Sequence, residues 1–153
     1  GDPKLTNATG GNALLHFSDW IFEFQKRHKA DQITSKNSKD GNPDGHWCKI
    51  IFKKTPNETT GAEIRYPIRY GRTGGKSVWI EYEIFDSLVK WGFVEKAGSW
   101  VTVNQKLIDE LKENNFEIPE KIQGEDAFTA CLEENPELTK YLFTKLKETL
   151  TLV

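Results

Sequence analysis

The 153-residue chain contains no methionine, only two cysteines and only three histidines. Because translation starts with methionine, its absence and the Gly1-Asp2-Pro3 opening read as a piece of something longer. Cys48 and Cys131 lie far apart, each inside an apolar pattern, which predicts reduced core thiols in a cytoplasmic protein rather than a disulfide framework. His46 and Cys48 lack a second pair of ligands nearby, so no zinc site is expected. His16, with no titratable partner at useful spacing, reads as a structural histidine. Long apolar runs are missing too. No stretch of about 18 apolar residues occurs and none follows a basic N-terminus, which predicts neither a membrane span nor a signal peptide. The sequons at Asn7 and Asn57 are then incidental.

What is present suffices for one core, in one domain or one and a half: 37% of residues are apolar. Charge is unevenly spread. Residues 1–100 carry 15 Lys+Arg against 12 Asp+Glu, a net of +3, whereas residues 101–153 carry 6 against 11, a net of -5. All five tryptophans lie in the first 100 residues. The basic, aromatic part suits a polyanion, and the acidic tail would repel one.

The chain is organised around Trp79–Trp100, WIEYEIFDSLVKWGFVEKAGSW. Ile80 and Tyr82 alternate with Glu81 and Glu83, predicting a short strand; Ile84, Phe85, Leu88 and Trp91 then share one helical face. Gly92 fits a left-handed stop. Phe93 and Val94 open a hairpin turned at Ala97-Gly98, with Trp100, Val101 and Val103 returning.

Upstream, Gly1–Asn12 is polar and glycine-rich, the composition of a mobile loop or a frayed terminus. Gly10-Gly11-Asn12 equally suits a phosphate cradle, since consecutive glycines let backbone N–H groups point to one side. Ala13–Phe24 reads as a strand buried on both faces for part of its length. Residues 26–46 read as a solvated connection. Trp47–Lys54 and Glu63–Tyr70 read as paired strands, the second with Ile64, Tyr66, Ile68 and Tyr70 inward and Glu63, Arg65 and Arg69 outward. Pro67 removes a donor from the outward set, so that strand lies at an edge or exposes that amide position. Gly71–Ser77, GRTGGKS, imitates a phosphate loop, but only Arg72, Thr73 and Gly74 stand between its first glycine and Gly75-Lys76, one residue too few. An extended Val78–Glu81 is expected after it, with no helix start to receive phosphates. Downstream, Gln105–Asn115 is helical with Leu107, Ile108 and Leu111 on one side. Ala127, Phe128 and Cys131 pack one further helix, and Leu138, Tyr141, Leu142, Leu146 and Leu150 the next, with a break at Asn135-Pro136.

Three of these stretches carry a resemblance. EKAGSW after its helix is similar to the EKAGAW that opens the small C-terminal domain of RecA-type recombinases. GDPKLTNATGGNAL resembles GNPETTTGGNAL of their second DNA-binding loop, and IRYG follows in the same order and spacing. The closing KIQGEDAFTACLEENPELTKYLF also resembles the RecA ending. The likeness covers most of the chain, apart from Lys29–Gly45 and the segment from Asn104 to Pro119, which reads as a lineage-specific insertion.

The resemblance implies an α/β class, α+β in this fragment: residues 1–78 as the last strands of a RecA-like ATPase core with a remnant of the second DNA-binding loop, and residues 79–153 as a small C-terminal domain with a short hairpin and three to four helices. It implies that Gly10, Gly11 and Asn12 contact single-stranded DNA and that Lys96 meets incoming duplex DNA. Glu125 replaces a second duplex-facing lysine, which predicts weaker or differently placed duplex capture. Of two family lysines that reach the nucleotide of a neighbouring protomer, Lys54 matches the second. Phe52 replaces the first, and Lys53 beside it lies on the opposite strand face. His16 stands where the family carries a signalling aromatic. The implied parent, bacterial or phage-borne, is an ATP- and Mg-dependent recombinase serving recombination and repair, which assembles as a filament on DNA and exchanges strands. This chain carries no cofactor of its own and, without Walker A or B motifs, is expected to show no ATPase activity alone. Two other classes stay open: a stand-alone nucleic-acid-binding module, and an interaction fragment that caps filaments.

Overall fold

The alternation in Trp47–Lys54 and Glu63–Tyr70 becomes a pair of antiparallel strands around which the first half of the chain is built. The computed structural model describes residues 21–35, 38–54 and 61–151. In order, its elements are β1 (Ile21–Phe24), β2 (Gln32–Ile33), β3 (Gly45–Lys54), β4 (Glu63–Arg69), α1 (Ile80–Lys90), β5 (Val94–Ala97), β6 (Trp100–Val103), α2 (Gln105–Glu113), β7 (Lys121–Gln123), α3 (Glu125–Glu134) and α4 (Pro136–Thr151). The class is α+β, with two antiparallel sheets.

In the first sheet β3 is central. β4 runs along one edge of it, and the other edge is shared by β1, with Phe22 opposite Phe52 and Phe24 opposite Ile50, and β2, with Ile33 opposite Gly45. The connection at residues 26–46 is thus more than a solvated loop, because β2 pairs within it and Asp31, in a 3-10 turn, is buried at 4% exposure. β4 is an edge strand as its proline predicts. Past it, Val78 makes an isolated bridge to Ile68.

The faces of β4 depart in part from those expected: Glu63 and Arg65 are exposed as read, but of the set read as inward Tyr66 and Ile68 are only half-buried and Ile64 and Tyr70 are exposed. Pro67 is fully buried, Ile64 is 47% exposed and Tyr70 38%. The side of the sheet that meets the helical half is the one bearing Arg65, Pro67 and Arg69. Two arginines suggest an outward face by polarity alone, yet both guanidiniums lie over tryptophan rings, Arg65 on Trp47 and Arg69 on Trp79.

The extended segment expected at 78–81, and the strand at 79–83, are likewise replaced: α1 begins at Ile80. Trp79 is anchored by its N–H to the Pro67 carbonyl at 2.8 Å and by burial of its ring, and Glu83 already donates back to the Trp79 carbonyl. Glu81 and Glu83 in the first turn favour a helix start. Ile84, Phe85 and Leu88 are buried as read, but Trp91 is 44% exposed, because the helix ends there. Gly92 (φ 76°) closes it with paired bonds, Gly92 N–H to Val89 and Phe93 N–H to Leu88.

The hairpin β5–β6 acquires a third strand, β7, that the sequence reading did not anticipate. The helices close over this sheet. Ile84, Phe85, Leu88, Val94, Val101, Val103, Leu107, Leu111, Phe128, Leu132, Leu138 and Leu142 form one hydrophobic core within residues 84–146, each contributing about 1.5–3 kcal/mol on burial. In α3 Phe128 is buried as read, together with Thr129 and Leu132, whereas Ala127 is exposed and Cys131 half-buried. Cys48 is half-buried too rather than in the core, and both thiols are free. Asn135 caps α4, its side chain accepting the Leu138 N–H at 3.1 Å with Pro136 in the first turn, as the Asn-Pro break predicts.

Candidate nucleic-acid interface

Strand alternation puts Trp47, Lys49, Ile51 and Lys53 on one face of β3, and register puts Arg65 directly opposite Lys49. The Arg65 guanidinium lies 5.1 Å above the Trp47 ring, and Tyr82 of α1 meets the same ring edge-on at 5.8 Å. Together they line a groove of about 440 Å³ whose far rim is Glu83, Asp86, Ser87 and Lys90. Burial, with Asp86 nearby, raises the Glu83 carboxyl above its ordinary value.

The cations of this face differ in how firmly they are held. Lys49 reaches Asp31 at 3.1 Å, and Asp31 also accepts the His28 amide at 2.9 Å; that amide and the Lys49 ammonium hold its carboxyl below the usual range. Lys53 pairs with Glu23 at 3.1 Å across two side chains that are each about one-third exposed. Gln25 and Lys53 lower the Glu23 carboxyl. Lys90 pairs with Asp86 within α1. Arg65 has no carboxylate partner among the described residues. A polyanion can therefore take Arg65 outright and Lys53 at little cost, since an exposed pair is worth about 0–1 kcal/mol.

No protein-family model matches the chain. Curated relatives do. Protein RecA of Pseudomonas savastanoi pv. phaseolicola is 26% identical over 153 residues, covering 98% of this chain and 35% of the relative. Protein RecA of Borrelia hermsii is 29% identical over 152 residues, with 97% and 35% covered, and that of Bacteroides thetaiotaomicron 27% over 145 residues, with 93% and 35%. The chain resembles RecA. It spans about a third of the length of these relatives, consistent with a C-terminal portion of RecA.

The residues singled out through the RecA resemblance scatter. Gly10, Gly11, Asn12 and His16 lie outside the described residues. Lys54 pairs through its backbone with Ile21, and its side chain lies outside them as well. Phe52 meets Phe22 edge-on at 5.1 Å, on the face opposite Lys53. Phe52 thus sits in an aromatic pair, and Lys53 in a partly exposed ion pair with Glu23. Lys96 forms an ion pair with Glu125, the residue standing where RecA-type domains carry a lysine, and its ammonium lies 6.0 Å from the Phe85 ring. Both flank a cavity of about 290 Å³ walled by Thr34, Ser99 and Trp100.

The GRTGGKS turn is followed three residues later by the start of α1, a helix N-terminus the sequence reading did not expect. That end is already acidic. Arg72 of the turn binds Glu81 at 3.0 Å and Glu133 at 3.1 Å. No cluster of metal-ligating side chains occurs among the described residues. The Nδ1 of His46 is buried without a hydrogen-bond partner and its ring lies against Tyr70; burial, with the Arg27 charge, lowers its pKa.

Sequence reasoning missed Arg65 over Trp47 and the convergence on Glu133. The signal for the first was present: Trp47, Lys49 and Lys53 share a parity on one strand. The second joins residues far apart in sequence and left no local trace.

Proposed function

We propose that this chain is the C-terminal portion of a RecA-like recombinase, and that the sheet face of Trp47, Lys49, Lys53 and Arg65 is its contact with DNA. The observation that carries the reading is Arg65, a cation without a carboxylate partner among the described residues, spread over an indole on a face bearing two lysines. Phosphates would take the cations, and a base exposed by single-stranded DNA would stack on the Trp47–Arg65 pair. Gly10, Gly11 and Asn12 would add backbone contacts to phosphate. Lys96, clasped by Glu125, would bind duplex DNA weakly. In the whole protein these contacts would serve ATP- and Mg-dependent pairing and strand exchange in a filament, with Lys54 towards the neighbouring nucleotide.

Fluorescence anisotropy of a labelled single-stranded oligonucleotide, titrated with the chain at two salt concentrations, tests this. Salt-sensitive binding supports the DNA-contact reading. Absence of binding at low salt would reject it in favour of the interaction fragment, for which Phe24 and Ile64, exposed by 65% and 47% on the opposite sheet face, would be the surface.

A further inference from the structure

Glu133 lies near the end of α3, in the helical half of the chain. One of its oxygens, Oε1, accepts from three donors: Arg69 Nη1 at 2.8 Å, Arg72 Nη2 at 3.1 Å and Trp79 Nε1 at 3.0 Å. None of the three belongs to its own helix. Arg69 ends β4, Arg72 stands in the turn after it, and Trp79 is the residue through which the chain enters α1.

The donors are themselves interlocked. The Arg69 guanidinium lies 4.8 Å above the Trp79 ring, and the second arm of Arg72 is on Glu81 at 3.0 Å. The Trp79 indole is 4% exposed, so a lost partner there would leave a buried N–H unpaired. Beside this point an open cleft of about 160 Å³, bordered by Ser35, Asp44, Asp126 and Thr129, lies between the connection before β3 and α3. The hydrophobic core cluster lies entirely within residues 84–146 and includes neither arginine nor Trp79. Contact between halves that lies outside the main hydrophobic core gives relative motion unless a specific tie prevents it.

We infer that Glu133 is a latch. A single carboxylate fixes the orientation of the helical half on the sheet by drawing β4, the glycine-rich turn and the entry to α1 onto one oxygen. Releasing it frees residues 69–79 as a hinge while both halves keep their folds. Glu133 is thus a positioning residue, and the inference is independent of any nucleic-acid contact.

Hydrogen exchange read by mass spectrometry on the full chain tests it. In Glu133→Gln, peptides covering 69–79, whose amides include Arg69 N–H to Ser77 and Trp79 N–H to Pro67, both at 2.8 Å, are expected to exchange about tenfold faster, while core peptides of α1, β6 and α4 keep their protection. Arg72→Gln, which leaves Arg69 and Trp79 on the carboxylate, is expected to shift the same peptides in the same direction by less, and it decides the question if Glu133→Gln does not fold. Unchanged exchange at 69–79, or acceleration spread equally over the core peptides, would overturn the latch.

Discussion

The Tyr141 hydroxyl donates to Glu110 Oε1 at 2.8 Å, joining α4 to α2, and the Lys145 ammonium binds both oxygens of the same carboxylate at 2.8 Å. Lys145 in turn lies over the Phe93 ring at 5.2 Å. The segment read as an insertion is therefore built into the core, with Leu107 and Leu111 at 1% and 0% exposure beneath it.

Glu110→Gln is expected to lower unfolding stability near pH 7 by about 1–2 kcal/mol, the worth of hydrogen bonds to a charged group that is partly screened. Burial alone would raise the Glu110 pKa, but Lys145 and Tyr141 outweigh it and hold it below 4.5. Its contribution is thus complete above the unfolded value and fades as pH falls through the folded one. Chemical denaturation at pH 7 and pH 3.5 should show the variant and the parent closer in stability at the lower pH.

His46 gives the opposite end of the acid range. Its folded pKa lies below 6.5, chiefly because burial disfavours the imidazolium; Arg27 opposes the proton and Asp31 weakly favours it. The neutral ring is the native form, so stability is full above pH 6.5 and declines as pH falls below it towards the folded pKa. His46→Gln should flatten the change in urea midpoint between pH 7.5 and pH 5.5. An unchanged slope would show that His46 does not titrate against the fold.

Gly45 tests the sheet. A Cβ there would collide with the backbone carbonyl of Ile68 and lie 3.3 Å from the Trp79 ring. Neither neighbour can yield without moving β4 or the Trp79 anchor. Gly45→Ala should destabilise by about 3 kcal/mol, whereas Gly74→Ala, with open space around it, should cost only the strain of its positive φ of 66°.

How far the fold was legible depended on the range of each contact. The Gly92 stop, the Asn135-Pro136 break, the hairpin and the leucine faces of α2 and α4 are local patterns and were readable from spacing. The faces of β4 were only partly legible: Glu63 and Arg65 are exposed as their polarity suggests, but alternation does not say which set is buried, and Pro67 is enclosed where Ile64 is not. The start of α1 was misread because four alternating residues, Ile80 to Glu83, also fit a first helical turn. β7 is three residues long and takes its place only from register against β6. The candidate face was half legible: the parity of Trp47, Lys49 and Lys53 was visible, and the stacking of Arg65 came from strand pairing.

The sheet face of Trp47, Lys49, Lys53 and Arg65 is the proposed contact with nucleic acid. The most direct measurement is the salt dependence of single-stranded oligonucleotide affinity for the unaltered chain, Arg65→Ala and Trp47→Ala. Removing Arg65 should weaken binding and reduce the slope of log affinity against log salt by about 0.7, one phosphate contact on a single strand. Removing Trp47 should weaken binding by roughly 1–3 kcal/mol with little change in slope, the signature of a lost stacking partner. Affinity and slope equal to those of the unaltered chain in both variants would contradict the proposed interface.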